Sequence, residues 1–135
     1  LEGDADAQPM SQGKHVRILL VDDEPGIVKM VGKRLEVEGF EVLGARDGQE
    51  ALRKVQTDTP DLVILDLMLP TLNGYEVCLM LKEDTRYRNI PVVMVTAKAQ
   101  KQDEKLGLVC GADAYIRKPF KAQELLDQIR ALANT

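Results

Sequence analysis

Acidic side chains follow two apolar runs of the sequence, each at the point where a buried strand would end. Asp22 and Asp23 come directly after the run 18–21. Asp66 closes a second run, at 62–65. In a sheet of parallel strands, ligands bind beyond the carboxyl ends of the strands, so these acids are expected to converge. Because close carboxylates repel one another unless a hard cation such as Mg²⁺ lies among them, the pattern predicts a magnesium site.

A hydroxyl and an amine are expected at the same rim. Thr96 ends a third apolar run, and Lys118 follows a shorter one. A carboxylate such as Asp66 can attack phosphorus to give an acyl phosphate, with which Lys118 would pair as a point charge. Each residue alone also fits a structural role, such as a helix cap or a surface amine. Their joint placement at the ends of four strands favours a site for phosphoryl transfer onto Asp66.

The elements that must position these residues alternate between strands and helices. Apolar, β-branched runs predict five strands, near residues 17–21, 41–45, 61–65, 91–96 and 113–117. Amphipathic stretches predict five helices, near residues 25–38, 48–57, 74–84, 100–110 and 121–133. The second and fifth strands are shorter or more polar than the others and are expected at the edges. This predicts an α/β fold, a flavodoxin-like doubly wound parallel sheet with strand order 2-1-3-4-5 and five helices.

Residue types also mark where the helices begin and end. Asp47 with Glu50, and Asn73 with Glu76, have the spacing of a capping box. Gly39 follows the first helical pattern, where a left-handed residue commonly ends a helix. These residues predict two helix starts and one helix end.

Length and composition fit one domain of ordinary make-up. The chain has 135 residues, of which 44% are hydrophobic and 30% charged, with a net charge of -4. Residues 1–15 are polar and aperiodic and are expected to be a disordered leader, a linker or a vector-derived segment, with a domain over 16–135. The acidic balance argues against direct nucleic acid contact by this segment. Without an apolar run of roughly 20 residues or a signal peptide pattern, we expect a cytoplasmic location and no membrane contact.

Cysteine and histidine usage argues against a zinc site. Cys78 and Cys110 are far apart in the sequence and belong to no CxxC motif, so we interpret them as buried, reduced thiols. His15 is the single histidine and lies in the polar N-terminal segment.

Taken in order and spacing, four segments of the chain resemble the receiver domains of bacterial two-component response regulators. The segments are 18–24, 61–70 with 73–74, 91–97 and 111–120. The resemblance implies a phosphoacceptor signalling domain, not an enzyme that turns over a diffusible substrate. Asp66 would receive the phosphoryl group from a phosphohistidine of a sensor histidine kinase or a phosphotransfer protein.

The resemblance also implies how the metal and the switch residues act. Mg²⁺ would be bound by Asp23, Asp66 and the backbone carbonyl of Met68, while Asp22 would act mainly through metal-bound water. On phosphorylation, Thr96 would move toward the phosphoryl group and Tyr115 would rotate inward. The resemblance further implies that the Lys118–Pro119 bond is a cis peptide. The helix 4–strand 5–helix 5 face would then control an output domain or a downstream protein.

Two other classes of protein share parts of this pattern. A haloacid-dehalogenase-like phosphatase also uses an Asp nucleophile and Mg²⁺, but it needs a second acid two residues later, where Met68 stands. A flavodoxin-like flavin binder needs a Ser/Thr/Gly phosphate loop and flanking aromatics, which the acids at 22–24 and 4% aromatic residues oppose.

Two positions are expected to set the lifetime of the phosphoryl group. In the resembled family, the residues two after the phosphorylated Asp and two after the switch Thr influence hydrolysis, and here they are Met68 and Lys98. Because a thioether is a poor hydrogen-bond acceptor, Met68 predicts slow self-dephosphorylation.

Overall fold

The computed structural model describes residues 16–96 and 110–133. These residues form five strands and four helices. In chain order they are β1 (Arg17–Val21), α1 (Pro25–Val37), β2 (Glu41–Ala45), α2 (Gly48–Asp58), β3 (Leu62–Asp66), α3 (Gly74–Glu83), β4 (Val92–Thr96), β5 (Ala114–Arg117) and α4 (Ala122–Ala133). The predicted segment 1–15, the predicted helix near 100–110 and Lys98 lie outside the described residues.

All four strand pairings are parallel, and the order across the sheet is β2-β1-β3-β4-β5. The predicted strand order 2-1-3-4-5 is therefore confirmed, with β2 and β5 at the edges as expected. Parallel strands need crossover connections, and in the described part of the chain single helices supply them: α1 joins β1 to β2, α2 joins β2 to β3, and α3 joins β3 to β4. The described helices number four where the sequence predicts five, since the remaining prediction falls on residues that are not described.

Two apolar layers cover the two faces of the sheet. On one face, Leu19 and Val21 of β1 pack in a cluster with residues of α2 and α3. On the other face, Ile18 and Leu20 pack with residues of α1 and α4. Because successive side chains of a strand point to opposite faces, the part of a strand that is covered on both sides must be apolar, as residues 18–21 of β1, 62–65 of β3 and 92–95 of β4 are.

The predicted helix starts are present, and one of them differs in detail. Asn73 and Glu76 form the full capping box of α3, with reciprocal bonds of 3.0 and 3.2 Å. At α2, Asp47 accepts from the Glu50 N–H, but the Glu50 carboxylate accepts from Arg46 N–H instead of closing the box. Among the described residues, none of the helices has the length and apolar character needed to cross a membrane.

Candidate functional site

Three carboxylates meet at the carboxyl end of the sheet. Strands β1 and β3 are neighbours with Val21 opposite Leu65, so Asp22 and Asp66, each one residue further on, emerge side by side. Both are almost fully buried, with 3% and 5% of their surface exposed, whereas Asp23 is exposed. One oxygen from each of these three acids lies within 4.8 Å of the others. The sequence-based prediction that the acids converge is confirmed.

Backbone N–H groups orient the two buried carboxylates. Asp22 Oδ1 accepts from the N–H of Glu24 at 2.9 Å, and Asp66 Oδ1 accepts from the N–H of Met68 at 3.1 Å. In each case the donor lies two residues ahead, in the tight turn that follows the strand. Because the Oδ1 atom of each acid is held in this way, the Oδ2 atoms of both acids face the same space beyond the ends of β1 and β3.

Lys118 fills that space. Its Nζ donates to Asp22 Oδ2 at 3.0 Å and to Asp66 Oδ2 at 3.1 Å, and it lies 4.0 Å from Glu24 Oε1. The residue follows β5 directly, where its own N–H donates to the Thr96 carbonyl at 2.6 Å. The predicted cis bond between Lys118 and Pro119 is present. The chain therefore carries its own cation into the acidic cluster.

Burial and charge shift the pKa values of the central pair. Burial raises the pKa of Asp66, and the nearby Asp22 carboxylate adds to the rise, while the Met68 N–H and Lys118 offset part of it. Burial opposes the charge on Lys118, but its hydrogen bonds and ion pairs with Asp22 and Asp66 outweigh that effect and raise its pKa. The ammonium is therefore charged at neutral pH and can neutralise one of the two buried carboxylates.

The remaining predicted site residues, Thr96, Tyr115 and Met68, differ in position and burial. Thr96 is the last residue of β4, the strand next to β3, and is buried. Tyr115 lies inside β5 opposite Met94 and is half-buried against the cluster that contains α3. The side chain of Met68 is 69% exposed, so its contact with Asp66 is through the backbone.

The donor set of the acidic cluster fits a hard divalent cation. Its three carboxylates supply oxygen, the ligand type that Mg²⁺ prefers, and Asp23 faces solvent, from which a hydrated ion would approach. The single Lys118 ammonium leaves the three acids with an excess of negative charge. Asp22, Asp23 and Asp66 are the described residues that can hold such an ion.

One residue of structural importance to the site was not predicted to contact it. Gly74, the first residue of α3, donates to the Leu67 carbonyl at 2.9 Å. A Cβ atom at this position would lie 2.5 Å from the Asp66 carbonyl oxygen. The helix thus packs directly onto the end of β3, and the Asn73-Gly74 capping signal marks the helix start without revealing this contact.

Comparisons with known proteins agree with this geometry. A family model described as the response regulator receiver domain matches residues 18–130. The alkaline phosphatase synthesis transcriptional regulatory protein PhoP of Bacillus subtilis is 45% identical over 116 residues, which cover 86% of this chain and 48% of PhoP. The DNA-binding response regulator MtrA of Mycolicibacterium smegmatis is 48% identical over 115 residues, covering 85% of this chain and 49% of MtrA. The chain thus spans about half the length of these curated relatives.

Solved structures show the same fold. A CheY-like response regulator receiver domain protein from Methanospirillum hungatei has a TM-score of 0.84 at 32% identity, covering 90% of this chain and 95% of that one. The chemotaxis response regulator CheY4 of Vibrio cholerae has a TM-score of 0.83 at 31% identity, covering 88% and 99%. In both cases the likeness extends over nearly the whole of the solved chain.

Proposed function

Because the chain belongs to the family of response regulator receiver domains, a class of signalling module, we propose that it accepts a phosphoryl group on Asp66 and changes its surface in response. The observation that carries the proposal is the Asp66 carboxylate at the sheet end, with Lys118 Nζ at 3.1 Å and two further acids beside it. We assign the receiver domain to residues 16–135 and place 1–15 outside it, which the family match over 18–130 supports.

The proposed donor is a phosphohistidine on a sensor histidine kinase or a phosphotransfer protein. An Asp66 carboxylate oxygen attacks phosphorus, a P–O bond forms, the P–N bond of the donor breaks, and the imidazole leaves with the bonding electrons. Asp66 must be ionised to attack, and the Met68 N–H and Lys118 favour that form. Lys118 is already charged and half-buried at the site, so it can move its hydrogen bond from the Asp66 carboxylate to a phosphoryl oxygen.

We further propose that Asp23 and Asp66, with the Met68 backbone carbonyl, hold Mg²⁺, and that Asp22 contributes through bound water. When bound, Mg²⁺ supplies positive charge that neutralises the phosphoryl oxygens during transfer. The exposed position of Asp23 and the burial of Asp66 support a site that is open to solvent on one side.

The proposed response starts from Thr96 and Lys118, which gain contacts with the phosphoryl group mainly in the active arrangement and so bias the equilibrium toward it. Tyr115 lies in β5 opposite Met94, two residues before Arg117, which pairs with Thr96. The inward rotation of Tyr115 is part of this proposal. The helix 4–strand 5–helix 5 face, of which the structure describes β5 and α4, would then control an output domain or a downstream protein.

The name of PhoP describes a transcriptional regulatory protein, and the name of MtrA describes a DNA-binding response regulator. For this chain we propose an output of the same general kind and a cytoplasmic location. The net charge of -4 supports an indirect role, without nucleic acid contact by this segment. A haloacid-dehalogenase-like phosphatase is not favoured, because family membership points elsewhere and Met68 supplies no second acid.

Acetyl phosphate with Mg²⁺ tests the proposal, since it replaces the protein donor. We expect the intact mass of the chain to rise by one phosphoryl group, and Asp66→Asn to abolish the rise because an amide oxygen is a poor nucleophile. Asp61→Asn is a matched control, since Asp61 is an exposed acid at the opposite end of β3. Phosphorylation of Asp66→Asn to the extent of the wild type would reject the assignment.

A further inference from the structure

The two cysteines of the chain lie against each other in the core, away from the acidic cluster. Cys78 belongs to α3 and is fully buried, and Cys110 lies in the turn before β5 with 5% of its surface exposed. The Cys78 thiol donates a hydrogen bond to the Cys110 carbonyl oxygen at 3.5 Å, so its sulfur lies against the backbone of Cys110. Both are free thiols. The proposed phosphoryl chemistry uses neither of them.

The surroundings of the pair distinguish one thiol from the other. The interaction with Cys78 lowers the pKa of Cys110 to about 7, against the effect of burial, and the Ala112 N–H acts in the same direction. The Lys82 ammonium lowers the pKa of both thiols. The hydrogen bond with Cys110, together with burial, raises the pKa of Cys78. Cys110 is therefore the thiol that ionises, and Cys78 is the one that keeps its proton.

The position of Lys82 is itself well defined. Its Nζ donates to the Ile90 carbonyl and to Asp113 Oδ2, both at 2.8 Å. These bonds tie α3 to the loop before β4 and to the residue before β5, the same segments that hold Cys78 and Cys110. The cation and the two thiols thus belong to one fixed junction between α3 and the chain leading into β5.

We propose that Cys78 and Cys110 form a peroxide-sensitive redox site, in which Cys110 is the attacking thiol, Cys78 the resolving thiol, and an intramolecular disulfide the product. The proposal is independent of phosphorylation at Asp66. It rests on two buried free thiols on residues that touch, since the Cys78 sulfur lies 3.5 Å from the Cys110 carbonyl oxygen, at the junction that the Lys82 ammonium holds.

Each step of the reaction balances. The Cys110 thiolate attacks one oxygen of hydrogen peroxide, the O–O bond breaks, and the released hydroxide takes up a proton to become water, leaving a sulfenic acid on Cys110. The Cys78 sulfur then attacks the Cys110 sulfur, the S–O bond breaks, and water leaves with the Cys78 proton. Overall, two thiols lose two electrons and two protons, and one peroxide becomes two waters.

The disulfide would join residues 32 positions apart. The closed loop contains the C-terminal half of α3 and all of β4, including Thr96. The crosslink would thus tie α3 covalently to the turn that enters β5.

The test treats the folded, fully reduced 135-residue chain with hydrogen peroxide, then denatures it with an excess of an alkylating reagent. We expect the intact mass to fall by two hydrogen atoms, with neither thiol alkylated, and a proteolytic digest to contain one Cys78–Cys110 crosslinked peptide pair. The same treatment of urea-unfolded chain should give the intramolecular product at least about tenfold more slowly, because the two residues are no longer held in contact.

Two single variants assign the roles. Cys78→Ser should accumulate a sulfenic acid on Cys110, which dimedone traps, whereas Cys110→Ser should react far more slowly and give no adduct on Cys78. Far-UV circular dichroism and a melting curve show whether each variant is folded. If a variant is not folded, the Cys78–Cys110 crosslinked peptide of the wild type still tests the proposal. Two alkylated thiols in the treated wild type, a disulfide-linked dimer, or a stable oxygen adduct without the crosslink would each overturn the proposal.

Discussion

Asp66 carries its charge in a buried position beside a second acid, Asp22. A carboxyl group whose pKa is raised in the folded state binds its proton more tightly there than in the unfolded chain, where the ordinary value is 3.8. The free energy of unfolding therefore falls as the pH rises from 3.8 through the pKa that Asp66 has in the folded state. Above that folded-state pKa the whole loss of stability is present. At neutral pH Asp66, the proposed phosphoacceptor, therefore lowers the stability of the fold.

Asp66→Asn should therefore stabilise the protein at neutral pH while it removes the phosphoacceptor. We expect a gain of about 1 kcal/mol in the free energy of unfolding at about pH 7, which shrinks toward zero as the pH approaches about 4. Urea unfolding at the two pH values measures both quantities. Lys118 keeps Asp22 as its partner in the variant, so no buried cation is left unpaired. An Asn variant that is less stable than wild type at about pH 7 would contradict this account.

The side chain of Met68 is expected to affect how long a phosphoryl group remains on Asp66. It is 69% exposed at the rim, so a polar replacement there leaves the core unchanged. Met68→Asn supplies an amide that can align a water molecule with phosphorus, and we expect dephosphorylation to accelerate by roughly two- to tenfold. Loss of the phosphorylated mass over time, at matched Mg²⁺ and pH, measures the rate. Met68→Leu is the control, since it keeps an apolar side chain. Equal dephosphorylation rates in the wild type, Met68→Asn and Met68→Leu would contradict this prediction.

At the level of the elements, the site depends on how closely α3 approaches the end of β3. The Gly74 N–H bonds to the Leu67 carbonyl, and there is no room for a Cβ atom beside the Asp66 backbone. The capping box of Asn73 and Glu76 fixes where the helix begins, one residue before this contact. Helix packing and the position of the phosphoacceptor are therefore coupled through a single glycine.

Gly74→Ala should destabilise the protein and disturb the site together. The added methyl group would lie 2.5 Å from the Asp66 carbonyl oxygen and 2.8 Å from Leu67 Cα, so backbone must move, at a cost of about 1–3 kcal/mol. Gly26→Ala is the matched control, because a Cβ at that helical position has nothing within 4 Å and should change stability by less than about 1 kcal/mol. Urea unfolding and the extent of phosphorylation by acetyl phosphate give the two readouts, and equal stabilities of the two variants would contradict the packing argument.

At the level of the whole molecule, the acidic cluster exists only when β1 and β3 are paired. A cation that binds the cluster therefore binds the folded state and stabilises it by mass action. The Lys118 ammonium neutralises part of the acidic charge through its ion pairs with Asp22 and Asp66.

Mg²⁺ should raise the melting temperature of the wild-type chain. At a free concentration ten times its dissociation constant, the gain in the free energy of unfolding is about 1.4 kcal/mol. Asp23→Asn should reduce the gain strongly, because Asp23 is an exposed member of the cluster whose loss leaves the core intact. Glu36→Gln, which removes an exposed acid of α1, controls for the change in net charge. An undiminished Mg²⁺ effect in Asp23→Asn would argue against this ligand.

Much of this molecule can be predicted from local sequence alone. Apolar runs of four residues mark strands that are covered on both faces, and caps such as Asn73 mark helix starts, because both signals depend on neighbouring residues. The order of the parallel sheet follows from the alternation of the elements. Since the strands are parallel, residues that follow them, such as Asp22 and Asp66, must share one edge.

Contacts between distant segments depended on the three-dimensional fold. Lys118 lies 96 positions from Asp22 and 52 from Asp66, and nothing in the sequence indicates that one ammonium is shared by both carboxylates. The contact between Cys78 and Cys110 was likewise not predicted, although the burial of both thiols was. Such pairings are set by strand register and by the angle at which each helix packs on the sheet, which are properties of the assembled core and leave no periodic signal in the chain.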